Sequence, residues 1–159
     1  MLLALAALAF AIPTYGPVPN PSGSPSPPPA YLRVPTVAGE ALIVDSGSTN
    51  RAGYRLRVYA DGWTALQQGD VPLKKRIPAA LVKRFFSDLR AAAPLDRLSV
   101  MRCMKSASFG STMQIGYGGK MSPDLSCPSS SSAARALAVD AAALAEAAGV
   151  SMVPRPLKM

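Results

Sequence analysis

Polar and apolar residues alternate one for one through Tyr54-Arg55-Leu56-Arg57-Val58-Tyr59. An extended chain therefore turns Tyr54, Leu56 and Val58 to one side and Arg55, Arg57 and Tyr59 to the other. With Asp61-Gly62 at its bend, Gly53 to Gly69 predicts a β-hairpin. Upstream, Gly39 to Ser46 predicts a strand ending at Val44, then a Gly/Ser/Asn turn and a new strand at Tyr54. From Pro78 to Pro94 the period changes. Leu81, Val82, Phe85, Phe86 and Leu89 recur at spacings of three and four, the apolar stripe of a helix packed against a sheet. Alternation returns at Met113, Ile115 and Tyr117. Gly118-Gly119 then turns the chain into an expected edge strand, Met121 to Cys127. Serines 129 to 132 offer caps for an alanine-rich helix over Ala133 to Gly149. Strand, hairpin, helix, two strands, helix is the order of an α+β fold, a mostly antiparallel sheet with two helices packed on one face.

The ends of the chain follow other rules. Residues 1–12 form an unbroken apolar run, too short to span a bilayer and of the length of a signal-peptide core, with Ala9-Phe10-Ala11 as a small-x-small pattern. They read as a signal peptide, or as an apolar anchor if the run is kept. Residues 13–30 carry eight prolines among Gly and Ser, an extended linker that neither helix nor sheet accommodates. A single domain is expected over 31–150, and a short C-terminal tail over 151–159. This order implies a secreted or periplasmic protein, membrane-tethered where the first run remains.

Charge narrows the chemistry. Lys and Arg number 17 against 9 Asp and Glu, and no histidine is present. Without histidine there is no base for a Ser-His-Asp or Cys-His nucleophile and no imidazole for zinc, and two cysteines are too few for an all-thiolate metal site. Neither a metal nor a cofactor is expected. The cations crowd between Lys74 and Lys105. A basic surface built from Lys74, Lys75, Arg76, Lys83, Arg84 and Arg90, with Arg55 and Arg57 of the hairpin, would favour an anionic polymer or envelope surface as partner.

Cys103 and Cys127 make one pair, and in an oxidising compartment their default state is a disulfide, stabilising by roughly 3 to 4 kcal/mol for a loop of about 25 residues. The segment between them, CMKSASFGSTMQIGYGGKMSPDLSC, with GYRLRVYADGW upstream, resembles a domain of uncharacterised exported bacterial proteins. Those share a Cys-x-Lys-Ser stretch, a Ser-Phe-Gly turn, a strand and a Ser-Pro-Asp-Leu-Ser-Cys ending. The resemblance implies the same fold and disulfide, and brings no activity with it.

One stretch invites a catalytic reading. Asp45-Ser46-Gly47-Ser48-Thr49 after an apolar pair is similar to the aspartate loop of retroviral-type aspartic proteases, in which two carboxylates share a proton and activate a water. One such loop per chain implies a dimer with Asp45 from each copy. Three departures count against it. Gln114-Ile115-Gly116 is a poor version of the bracing signature, Asn50-Arg51-Ala52-Gly53 is polar where those enzymes continue apolar, and two helices interrupt what should be nearly all strand. Asp, Ser, Gly and Asn are also what a turn demands. Lys105-Ser106 and Ser108 raise a weaker Ser-Lys idea, and Asp124 is expected to cap or to pair with a cation such as Lys120. The sequence reading is therefore a monomeric, non-catalytic exported binding or envelope-associated module with a basic surface, the dimeric aspartic protease being its alternative.

Overall fold

A computed structural model of the chain describes residues 33–69, 72–106, 108 and 110–151. The expected signal peptide or anchor and the proline-rich linker lie outside the described residues, as does the tail beyond Ser151.

Six strands form one antiparallel sheet in the order β4-β3-β2-β1-β5-β6. They are β1 (Glu40–Ser48), β2 (Arg51–Tyr59), β3 (Trp63–Gln67), β4 (Leu73–Arg76), β5 (Met113–Tyr117) and β6 (Lys120–Met121). The first strand is central, pairing Ile43 with Leu56 of β2 on one side and with Ile115 of β5 on the other. Between β4 and β5 run α1 (Ala79–Ala92) and a 3-10 turn at Leu95–Arg97, and α2 (Ser132–Ala148) follows β6. With its Cys103–Cys127 disulfide this is the α+β architecture that the hydrophobic pattern predicts.

The period-two pattern explains the core. Ala41, Ile43, Leu56, Val58 and Ile115 share one sheet face and are fully buried against Phe85 and Leu89 of α1 and Leu137 and Leu144 of α2. Burying a side chain such as Phe85 contributes on the order of 2 to 3 kcal/mol before packing is counted. Phe86 stacks edge-on against Tyr117 with ring centroids 6.2 Å apart, pinning α1 to β5. Both helices stop where their sequences direct. Ser131 Oγ accepts from the Ala134 N–H at 3.3 Å, and Gly149 takes a left-handed φ of 91° that lets Val150 N–H reach the Ala145 carbonyl at 2.9 Å.

Three local expectations are corrected. The first strand does not end at Val44 but runs through Asp45 to Ser48, and β2 starts at Arg51 rather than Tyr54. Glycines make this continuation possible. A Cβ on Gly47, whose φ is +67°, would sit 2.2 Å from the Gly53 nitrogen, and one on Gly53 would sit 2.6 Å from the Asp45 carbonyl oxygen. The small residues serve a close backbone approach inside a hairpin. Second, Leu-Lys-Lys-Arg forms β4 although every residue is exposed and nothing alternates. Third, the expected edge strand from Met121 to Cys127 shrinks to Lys120–Met121. Beyond it, side chains replace the ladder. Ser122 Oγ accepts from Ile115 N–H at 2.9 Å, and Asp124 Oδ1 accepts from Met113 N–H at 3.0 Å, on either side of Pro123.

Among the described residues the other face of the sheet has no helix on it. Its β1–β5 side is crossed by the segment ahead of β1. Pro35 carbonyl accepts from Gly119 N–H at 2.8 Å, Arg33 carbonyl accepts from Arg57 Nη2 at 3.1 Å, and Val34 lies against Gly116. That strap accounts for the burial of Leu42, which points away from the helices yet is only 2% exposed. The β2–β4 side stays open.

Candidate functional site

The open half of the sheet is built from the alternate positions that the core does not use. In register, Arg57 lies opposite Ala65, Ala65 opposite Lys74, Arg55 opposite Gln67, and Trp63 opposite Arg76. Directly paired residues of antiparallel strands share a face, so all of these project to the side without helices. Alanine at the centre of this set leaves a low floor between longer neighbours. Two depressions result, of about 440 Å³ and about 420 Å³, and Tyr59 and Ala65 line both, so they form one trough. Glu40, Arg55 and Gln67 line its first part, and Asp61, Trp63 and Lys74 its second.

The cations of this face are not equivalent. Arg57 is paired with Glu40 and also donates to the Arg33 carbonyl, so its charge is already answered within the fold. Arg76 lies over the Trp63 ring at 5.8 Å from its centroid and donates to the Asp61 carbonyl at 3.3 Å. Arg55 and Lys74 are exposed and make no ion pair among the described residues. They are the two cations the trough offers to a ligand.

The sequence-predicted basic surface is therefore divided. Arg55, Arg57, Lys74 and Arg76 share the open face, while Lys75 pairs in register with Thr64 on the other side of the sheet edge. Lys83, Arg84 and Arg90 belong to α1, in the helix layer. Of these, Arg84 is drawn to α2, where its Nε donates to Asp140 Oδ1 at 2.6 Å. Asp140 is 2% exposed, and burial pushes its carboxyl above the usual range despite Arg84, with Asp88 nearby adding to the rise. Its Oδ2 makes no hydrogen bond.

Asp45 sits within β1, buried, and opposite Tyr54 in register. Nη2 of Arg51 donates to Oδ1 at 2.8 Å and Oδ2 at 2.9 Å, and the Gly47 N–H donates to Oδ1 at 2.7 Å. The same Arg51 nitrogen reaches Ser111 Oγ at 3.0 Å, joining the β1–β2 hairpin to the approach to β5. Burial first, and the Asp45 charge second, push the Tyr54 phenol up to about 12, with Arg51 opposing. A carboxylate bound this way braces a hairpin.

The Ser-Lys residues part company as well. Lys105 Nζ donates to Asp124 Oδ2, to Ser126 Oγ and to the Ser111 carbonyl, beside the disulfide, rather than serving Ser106 or Ser108. Lys105 thus takes the place expected of Lys120 as the partner of Asp124, while Lys120 pairs with Asp96 at 3.3 Å. Burial would raise the Asp124 carboxyl, but hydrogen bonds from Lys105, Ser126 and the Met113 N–H outweigh it and hold it below its ordinary value. Among the described residues no group of three or more His, Cys, Asp and Glu could hold a metal ion.

The sequence reading places Tyr59 on the basic face with Arg55 and Arg57 but does not single out Trp63, Ala65 or Gln67. The hairpin register carried the signal, since pairing Arg57 with Ala65 also places Trp63 and Gln67 on the basic face. Comparison of the chain with protein-family models, with curated proteins and with solved structures finds no match.

Proposed function

We propose that this protein is a non-catalytic, exported binding or envelope-associated module that takes an anionic polymer or surface on the open half of its sheet. The observation that carries the reading is the trough itself. A sheet face that leaves Trp63 46% exposed with Lys74 on the same part of the trough and Arg55 on the other, and with no helix over it among the described residues, is arranged for contact rather than for stability. An apolar core does not need that face, because the helices occupy the opposite one. The division of the basic residues supports narrowing the expected contact to Arg55 and Lys74, with Lys83 and Arg90 in the helix layer away from it.

For the aspartic-protease alternative, the relevant geometry is the double contact of Arg51 on Asp45, which supports a bracing role instead. Salt-dependent retention of the protein on an immobilised polyanion tests the proposal. Arg55→Glu with Lys74→Glu is expected to abolish retention at moderate salt, and Lys83→Glu with Arg90→Glu to leave most of it. Equal loss from both pairs, or no retention of the wild type on any polyanion or anionic vesicle at low salt, would overturn it. Peptide cleavage with an acid optimum, lost in Asp45→Asn, would instead establish the alternative.

A further inference from the structure

We infer that the outer face of α2 is a self-association surface, on which a second copy of this chain packs antiparallel about a two-fold axis between Val139 and Ala142. This holds whatever the open half of the sheet takes. Leu137, Ala141 and Leu144 turn the inner side of α2 to the core. On the opposite side Arg135, Val139, Ala142 and Glu146 are all exposed, and their spacings of four, three and four put them in one row. Val139, 64% exposed, is the large apolar side chain of that row. The row is self-complementary. An antiparallel copy brings Glu146 of each chain to Arg135 of the other at both ends, and lays each Val139 over the other copy's Ala142, a large side chain against a small one.

Two observations point to a second copy rather than to solvent. The first is where the charges stand. A helix favours acids in its first turn and bases in its last, yet α2 has neither, and it carries Arg135 near its start and Glu146 near its end. Arg135 finds local acceptors, since its Nη1 donates to the Ser129 and Ser130 carbonyls at 2.9 Å each. Glu146 makes no ion pair among the described residues. An antiparallel copy corrects both placements, setting its acid at the start of this helix and its base at the end, and opposing the two dipoles.

The second observation is the charge of the other surfaces. With 17 Lys and Arg against 9 Asp and Glu, the chain in general repels its own copy. At the β4 edge a second copy would set Lys74, Lys75 and Arg76 against their like. The outer face of α2 is the exception. Asp140 is buried and bound by Arg84, so the exposed charges of this helix are Arg135 and Glu146, which cancel. Lys83 and Arg90 lie on the flank of α1 beside Ala60 and Phe86, turned from α2. With the helix layers between the copies, the two open sheet faces point outward, and one pair carries two troughs.

Sedimentation equilibrium of the chain at low salt, up to about 1 mM, tests the surface. A dimer is expected with a Kd on the order of 100 µM, as suits a single helix-on-helix contact smaller than a standard interface. Arg135→Glu alone and Glu146→Arg alone each set like charges across the axis, and each is expected to weaken the dimer about tenfold or more. An equimolar mixture of the two variants is expected to associate as the wild type does, because each supplies the sign that the other lacks. Val139→Lys, in the middle of the row, is expected to leave only monomer at an unchanged melting temperature. A wild type that stays monomeric at the highest concentration overturns the inference. So does a dimer indifferent to Val139→Lys or to either reversal, and so do reversals that the mixture fails to rescue.

Discussion

The two faces of the sheet are made by alternate residues of the same strands, and they answer to different demands. On the helix side Ile43, Leu56, Val58 and Ile115 are 0% exposed and belong to one hydrophobic cluster with both helices. On the other side Arg55, Arg57 and Tyr59 share a strand with Leu56 and Val58 but, among the described residues, lie under no helix, and the cover there is the strap from Arg33 to Thr36. One residue of shift along β2 separates a position whose change threatens the fold from one whose change is confined to the surface. The fold therefore leaves the β2–β4 half of this face able to change its contacts without altering the core beneath it.

The comparison breaks if the two faces respond alike to substitution. Leu56→Ala, on the covered face, is expected to destabilise the protein by about 3 kcal/mol through lost burial and a cavity, read as a fall in the urea midpoint. Asp45→Asn, which removes the charge that Arg51 spans, is expected to cost about 2 kcal/mol, less than a fully dry pair because Arg51 keeps 20% side-chain exposure. Its effect on stability distinguishes a brace from a spectator.

Acid titration sharpens the contrast within the carboxylates. Asp124 is held below its ordinary value in the folded state, so its contribution is present above about pH 4 and fades as pH falls through the lower folded value. Asp140 is raised, so it favours folding more as pH drops, and that advantage is lost between about pH 4 and its higher folded value. Urea midpoints from pH 3 to pH 7 should show the wild type losing its lead over Asp124→Asn on acidification and gaining on Asp140→Asn. The smallest effect belongs to the open face. Arg55→Glu with Lys74→Glu should shift stability by less than about 0.5 kcal/mol, and a larger loss would mean that these cations serve the fold after all.

What could be read from the sequence follows the same division. The helices and the β2–β3 hairpin announce themselves because their burial is periodic, as in Leu81-Val82-Phe85-Phe86-Leu89 and Tyr54-Leu56-Val58. Strand β4 does not, because every residue from Leu73 to Arg76 stays exposed, and a run of cations on an edge carries no alternation. The end of β1 was hidden by its composition. Asp45, Ser46 and Gly47 are turn formers, and only the close passage of Gly53 shows why a strand should contain them. The site was half visible for a related reason. Proximity in sequence grouped Lys74 with Lys83 and Arg90, while the pleat and the layer boundary separate them, and it overlooked Trp63, whose importance depends on which residue it faces across β2 and β4.

The strap over the open face also makes the molecule directional under load. A pull applied from the N-terminal side of Arg33 meets the Arg57 contact to the Arg33 carbonyl and the Gly119 contact to the Pro35 carbonyl before it reaches any strand-to-strand bond of β1. Their rupture would free the segment ahead of β1 and bare Leu42 beside the trough, while the central strand stays clamped between β2 and β5.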